Sequence, residues 1–101
     1  MRMSQFQVEA EKTIDRYLFN SALENHALMG LAAQIGKLSE YNMKGRNTEE
    51  SDLLKKECLE NVLYYVAEMS ASHNWSMEDL AEESLKRHGV YAMYSLKRPR
   101  L

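Results

Sequence analysis

Gln34 and Lys37 stand three positions apart in the stretch Ala27-Leu28-Met29-Gly30-Leu31-Ala32-Ala33-Gln34-Ile35-Gly36-Lys37-Leu38-Ser39-Glu40. On a helix that spacing puts both on one face. One is an amide that donates and accepts; the other is a compact cation with three donors. Gly30 and Gly36 lie on either side of Gln34. Each costs about 1 kcal/mol against Ala in a helix interior, so both predict close approach by another backbone or a ligand. Lys44 follows, a cation suited to the end of the same helix. Cys58 is the sole cysteine, so no disulfide can form within the chain, and a reducing, cytoplasmic setting fits. On an apolar helix face it reads as packing. His26, His73 and His88 lie on no metal-ligand spacing and read as surface residues. Tyr64-Tyr65 reads as core and interface, and no nucleophile motif is present.

The elements that must position these residues are helices. Apolar positions recur at three and four: Leu28, Leu31, Ile35 and Leu38 in the central stretch, and Leu54, Cys58, Leu59, Val62, Leu63, Val66 and Met69 further on. Phe6, Val8, Ala10, Ile14, Tyr17 and Leu18 give an earlier stripe; Met77, Leu80, Ala81 and Leu85 give a later one. The patterns predict helices near 4–19, 22–44, 50–73 and 77–88. Ser21 with Glu24 has the capping-box pattern, Thr48 or Ser51 suits the third start, and Ser76 with Asp79 the fourth. Gly45 and Gly89 are the expected left-handed stops. The fold class is therefore all-α. Two long helices joined by a short turn lie antiparallel, and the four helices form a compact bundle. So short a chain buries two broad faces poorly alone, so self-association is expected.

The chain has 101 residues, enough for one small domain. We divide it into a helical domain, 1–88, and a basic C-terminal tail, 89–101. Residues 86–101 hold five basic residues and no acid, leaving eight basic against fifteen acidic in 1–85. So acidic a body does not suit a general nucleic-acid binder. No signal peptide shows, and no apolar run approaches the ~18–20 residues of a membrane span.

Three segments carry a resemblance. Met29 to Glu40 resembles L-G-L-A-G-E-x-G-E-L-x-E. Asn61-Val62-Leu63-Tyr64-Tyr65-Val66 resembles D-V-L-W-Y-L, and Asn74-Trp75-Ser76-Met77-Glu78-Asp79-Leu80 resembles G-I-S-L-E-E-x. In this order they resemble the MazG-type nucleoside triphosphate pyrophosphohydrolases, over roughly residues 5–88. The resemblance implies an all-α bundle of antiparallel helices completed by oligomerisation. It also implies two acidic pairs, E-x-x-E and E-x-x-D, that hold magnesium, which bridges the phosphates and activates water.

Mapped position by position, all four acids are replaced. The first pair falls on Gln34 and Lys37, the second on Cys58 and Asn61. Neutral amides are poor magnesium ligands, a thiol is too soft, and an ammonium repels the ion. A register shifted to Glu57 and Glu60 would turn helix three by about 100° and carry its apolar face out of place. Glu40 matches a family acid beside the site, and Lys44 a family lysine that reaches phosphate.

The expectation is a pseudoenzyme with no catalytic residue and no metal ligand. It binds a nucleotide or phosphorylated signal without cutting it, using Gln34, Lys37, Glu40, Lys44, Cys58 and Asn61. Lys37, beside the Gln34 amide, takes the phosphate directly, where the family places a metal. No cofactor is required. Two alternatives stand. One is a protein-interaction module using the oligomer surface or the tail. The other is an active magnesium enzyme with a relocated metal site. The expected partners are a nucleotide or phosphorylated small molecule and a second copy, not a membrane.

Overall fold

The computed structural model describes residues 1–14, 18–44 and 48–89. Among them the chain forms four helices and no strand: α1 Met3–Glu11, α2 Asn20–Met43, α3 Glu49–Ser72 and α4 Met77–Arg87. The all-α expectation holds. Gly45 and residues 90–101 lie outside the described residues, as does Tyr17.

α1 stops earlier than its apolar stripe predicts. The Thr13 and Ile14 amides reach back three residues, to the carbonyls of Ala10 and Glu11, and the Thr13 hydroxyl also donates to Ala10 O at 2.8 Å. Such tightened turns end helices, and a side-chain hydroxyl that takes the carbonyl helps. α2 begins without the expected box. Phe19 occupies the cap position with no side-chain bond, and Ser21 lies inside the helix. The other two starts are as the sequence implies: Ser51 N–H donates to Thr48 Oγ1 at 3.1 Å, and Asp79 N–H to Ser76 Oγ at 3.2 Å. Gly89 takes φ 77°, the left-handed conformation that ends α4 without a Cβ penalty.

α2 and α3 form an antiparallel hairpin. Its register is fixed by four contacts, Glu24 with His73, His26 with Glu68, Gly30 with Tyr65 and Gln34 with Asn61. Numbers rise along α2 as they fall along α3. At Gly30 an added Cβ would lie 2.5 Å from the Tyr65 ring. The close approach predicted for this glycine is thus made by a side chain rather than a backbone or ligand. Gly36 has open space where its Cβ would be.

α1 lies across α3 and meets α4. Ala10, Ala67 and Met77 are buried together, with Met3, Phe6, Tyr64 and Val66 packed on them. Gln7 fixes this corner. Its amide donates to Trp75 O at 2.7 Å and accepts from Met77 N–H at 2.8 Å. That satisfies a buried backbone donor at the entry to α4.

The apolar stripes divide differently from the sequence reading. α2 turns Leu23, Ala27 and Gln34 inward, while Leu28 and Ile35 remain 56% and 54% exposed. On α3 Cys58 is buried, but Leu59 and Leu63 remain 52% and 44% exposed. Val8, Leu80 and Leu85 are likewise exposed. Each stripe is wider than one neighbouring helix can cover, so part of it faces outward.

Candidate functional site

Three of the four mapped positions, Gln34, Cys58 and Asn61, meet on the α2–α3 seam, and Lys37 lies off it. Gln34 is buried and its Oε1 accepts from Asn61 Nδ2 at 3.2 Å. Cys58 lies one turn before Asn61, buried and reduced. Lys37, one turn after Gln34, is exposed and makes no ion pair with another described residue. Glu57 and Glu60 are exposed, and the Gln34–Asn61 bond fixes the register that keeps them off the seam.

The site therefore consists of two amides bonded to each other, a buried thiol and an exposed ammonium. That donor set does not fit magnesium. The Gln34 oxygen already accepts a bond, thiols are soft ligands, and Lys37 would repel the ion.

Glu40 and Lys44 pair with each other, Nζ to Oε1 at 2.9 Å, on the exposed last turns of α2. The hydrogen bond from Lys44, then its charge, holds the Glu40 carboxyl below the usual carboxylate range. The same bond and charge from Glu40 push the Lys44 ammonium up. Lys44 also lines a surface cavity of about 280 Å³ with Tyr41, Thr48, Glu50, Ser51 and Leu54. Of the acids in the first turn of α3, Glu50 lines this cavity. Lys44 is thus paired with one acid and shares a cavity with another, Glu50. The structure does not bring it together with Gln34 and Asn61 into one pocket.

The side chains that most distinguish the hairpin lie at its other end. Glu68 is buried, its side chain only 3% exposed, and its carboxylate is bonded by His26 Nδ1. His73 Nε2 meets Glu24 Oε2 at 2.6 Å. The His73 ring stacks on Trp75, centroids 4.0 Å apart and 11° from parallel. Two of the three histidines thus clip α2 to α3. Residue types and spacing within one helix hold no signal of this. Only the register between helices reveals the pairs.

No family model, curated protein or solved structure matches this chain.

Two flanks of the hairpin differ in chemistry. At 100° per residue, Ile35 and Lys37 diverge to opposite sides of the Gln34 line. In an antiparallel pair, the residue following each seam position falls on a common flank. Leu28, Ile35 and Leu59 follow the buried positions Ala27, Gln34 and Cys58, so one flank is apolar, whereas Leu63 lines a cavity of about 160 Å³ with Met1, Arg2, Met3 and Phe6 at the start of α1. Lys37 belongs to the other flank, on which Asn61 is also exposed. Among the described residues no helix is long and apolar enough to cross a membrane, and no group of three or more His, Cys, Asp or Glu is placed to hold a metal.

Proposed function

We propose that this chain is a non-hydrolysing protein of MazG-like architecture that acts by association, through the apolar flank of the α2–α3 hairpin. The observation that carries this reading is the row Leu28, Ile35 and Leu59, all 52% exposed or more. Large apolar side chains grouped on one flank mark an interaction surface, whereas singly scattered ones do not. The simplest occupant is a second copy, giving a four-helix bundle from two hairpins. The family's acids are replaced by a bonded amide pair and a buried thiol, which keep the seam packed without metal.

Light scattering tests this. The parent should have at least twice the 11.8 kDa mass of one chain at micromolar concentration. Ile35→Glu/Leu59→Glu should be monomeric with its helicity kept. A parent that stays monomeric overturns the reading.

A second reading is favoured by one observation. Lys37 is exposed and unpaired among the described residues, one turn from Gln34. It is free to take the phosphate of a nucleotide or phosphorylated signal directly. Such binding should persist in EDTA, weaken with salt, and fall tenfold or more in Lys37→Glu, roughly 1.4 kcal/mol. Calorimetry over nucleotides, cyclic dinucleotides and phosphosugars decides it. Under either reading, protein with Mg²⁺ or Mn²⁺ should release no pyrophosphate from nucleoside triphosphates.

A further inference from the structure

α2 carries a line of exposed, uncharged residues along most of its length. Asn25, Leu28, Ala32, Ile35, Ser39 and Asn42 recur at spacings of three and four, and all six are exposed. At 100° per residue the line is centred about 130° round the helix from Gln34, whose amide faces α3. Leu28 and Ile35 are 56% and 54% exposed; Met29 and Met43, at 73% and 84%, border the line. Other outward faces carry charge. Lys37 and Lys44 stand on the opposite flank of α2, Asp52, Lys56 and Glu60 on α3, and Glu78, Glu82 and Glu83 on α4.

Sizes along the line follow an order. Counted outward from the midpoint between Ala32 and Ile35, equally distant positions are Ala32 and Ile35, then Leu28 and Ser39, then Asn25 and Asn42. Each inner pair joins a branched apolar side chain to a small one. The outermost pair joins two amides. A twofold axis through the midpoint brings the two members of each pair together across an interface. Ile35 then lies over Ala32 of the partner subunit, Leu28 over Ser39 of the partner subunit, and Asn25 beside Asn42 of the partner subunit. Large against small fills each layer to a similar depth. Two facing amides each donate and accept.

Other arrangements fit worse. A parallel pair sets Leu28 on Leu28 and Ser39 on Ser39, so crowded and empty layers alternate. An antiparallel pair slid by one heptad sets Asn25 on Ile35 or Asn42 on Ala32, and leaves the amide without a partner. A polar Asn in such a seam fixes register at some cost in stability. The overlap from Asn25 to Asn42 is about 27 Å long.

We propose that two copies of the chain pair through α2, antiparallel about a twofold axis between Ala32 and Ile35, with the Asn25 and Asn42 amides setting the register. The pairing rests on the association through this flank proposed above, to which it adds the helix, its direction and its register.

Disulfide trapping tests it. In a Cys58→Ala background, Leu28→Cys and Ser39→Cys chains are oxidised separately and as an equal mixture. Both positions are exposed, so the fold is kept, which circular dichroism checks. In this register two identical chains hold their cysteines about 16 Å apart along the axis, too far for a disulfide. Only the mixture should yield a covalent dimer of twice the 11.8 kDa chain mass, in the statistical share of mixed pairs. Cross-linking of either variant alone, as fast as the mixture, would make the pair parallel and overturn the proposal. A mixture that does not cross-link, from a parent dimeric by light scattering, overturns the register and leaves association through the flank standing. A monomeric parent overturns both.

Discussion

The two glycines of α2 should respond oppositely to the same substitution. Ala in place of Gly in a helix interior gains about 1 kcal/mol from backbone propensity. At Gly36 the added methyl meets nothing in the chain, so Gly36→Ala should keep that gain. At Gly30 the new carbon would lie 2.5 Å from the Tyr65 Cε1 and 2.6 Å from its Cδ1 and Cζ. The ring cannot swing away freely. His26 meets it edge-on at 6.1 Å and Tyr64 at 5.8 Å. Overpacking of this kind costs about 1–3 kcal/mol, so the net effect of Gly30→Ala is destabilisation by up to about 2 kcal/mol. Each 1 kcal/mol shifts Tm by roughly 4–8 °C for a domain of this size. Thermal unfolding at one protein concentration should place Gly36→Ala above the parent and Gly30→Ala below it. Tyr65→Leu, which shortens the ring, should remove the Gly30→Ala penalty in the double variant. Gly30→Ala unfolding at or above the Gly36→Ala temperature would refute the reasoning, because it would mean that α2 and α3 do not meet in this register.

His26→Ala should destabilise by about 1–3 kcal/mol in urea titration, since it leaves the buried Glu68 carboxylate without its partner. Adding Glu68→Leu should recover most of that. Gln7→Ala should lose both ties to the α3–α4 corner, with a similar cost and a change in Trp75 emission. The Glu40–Lys44 pair sets a modest pH dependence. Glu40 titrates below its ordinary value, so its contribution is present above that value and fades as pH falls through the acid range. Lys44 titrates above its ordinary value, so its contribution is present at lower pH and fades as pH rises through the alkaline range. NMR titration of the Glu40 carboxyl should show the depression vanish in Lys44→Ala.

The helices were legible because breakers are scarce and the apolar spacing is helical. Thr48, Ser76 and Gly89 were legible because each carries its own local chemistry. The end of α1 was not: Thr13 looks like any mid-helix residue until its hydroxyl is seen to take Ala10 O while contacting Tyr64 Oη at 2.7 Å. The bond between Gln34 and Asn61 is seen once the two helices are paired. So are the His26–Glu68 and Glu24–His73 pairs, because register between two helices is a tertiary quantity. Periodicity also overestimates burial. It names Leu28, Ile35, Leu59 and Leu63 as apolar positions, but not which neighbour covers them.

The Gln7 clamp also bears on the order in which the protein can be assembled as it is synthesised. Gln7 is made some seventy positions before its partners, Trp75 and Met77. A nine-residue helix is marginal by itself. α1 must therefore wait, its apolar side uncovered, while the α2–α3 hairpin forms from neighbouring helices. Its seat is completed only when Met77 leaves the ribosome. A chain interrupted before that point would carry a finished hairpin and a loose amphipathic leader, a form suited to chaperone capture.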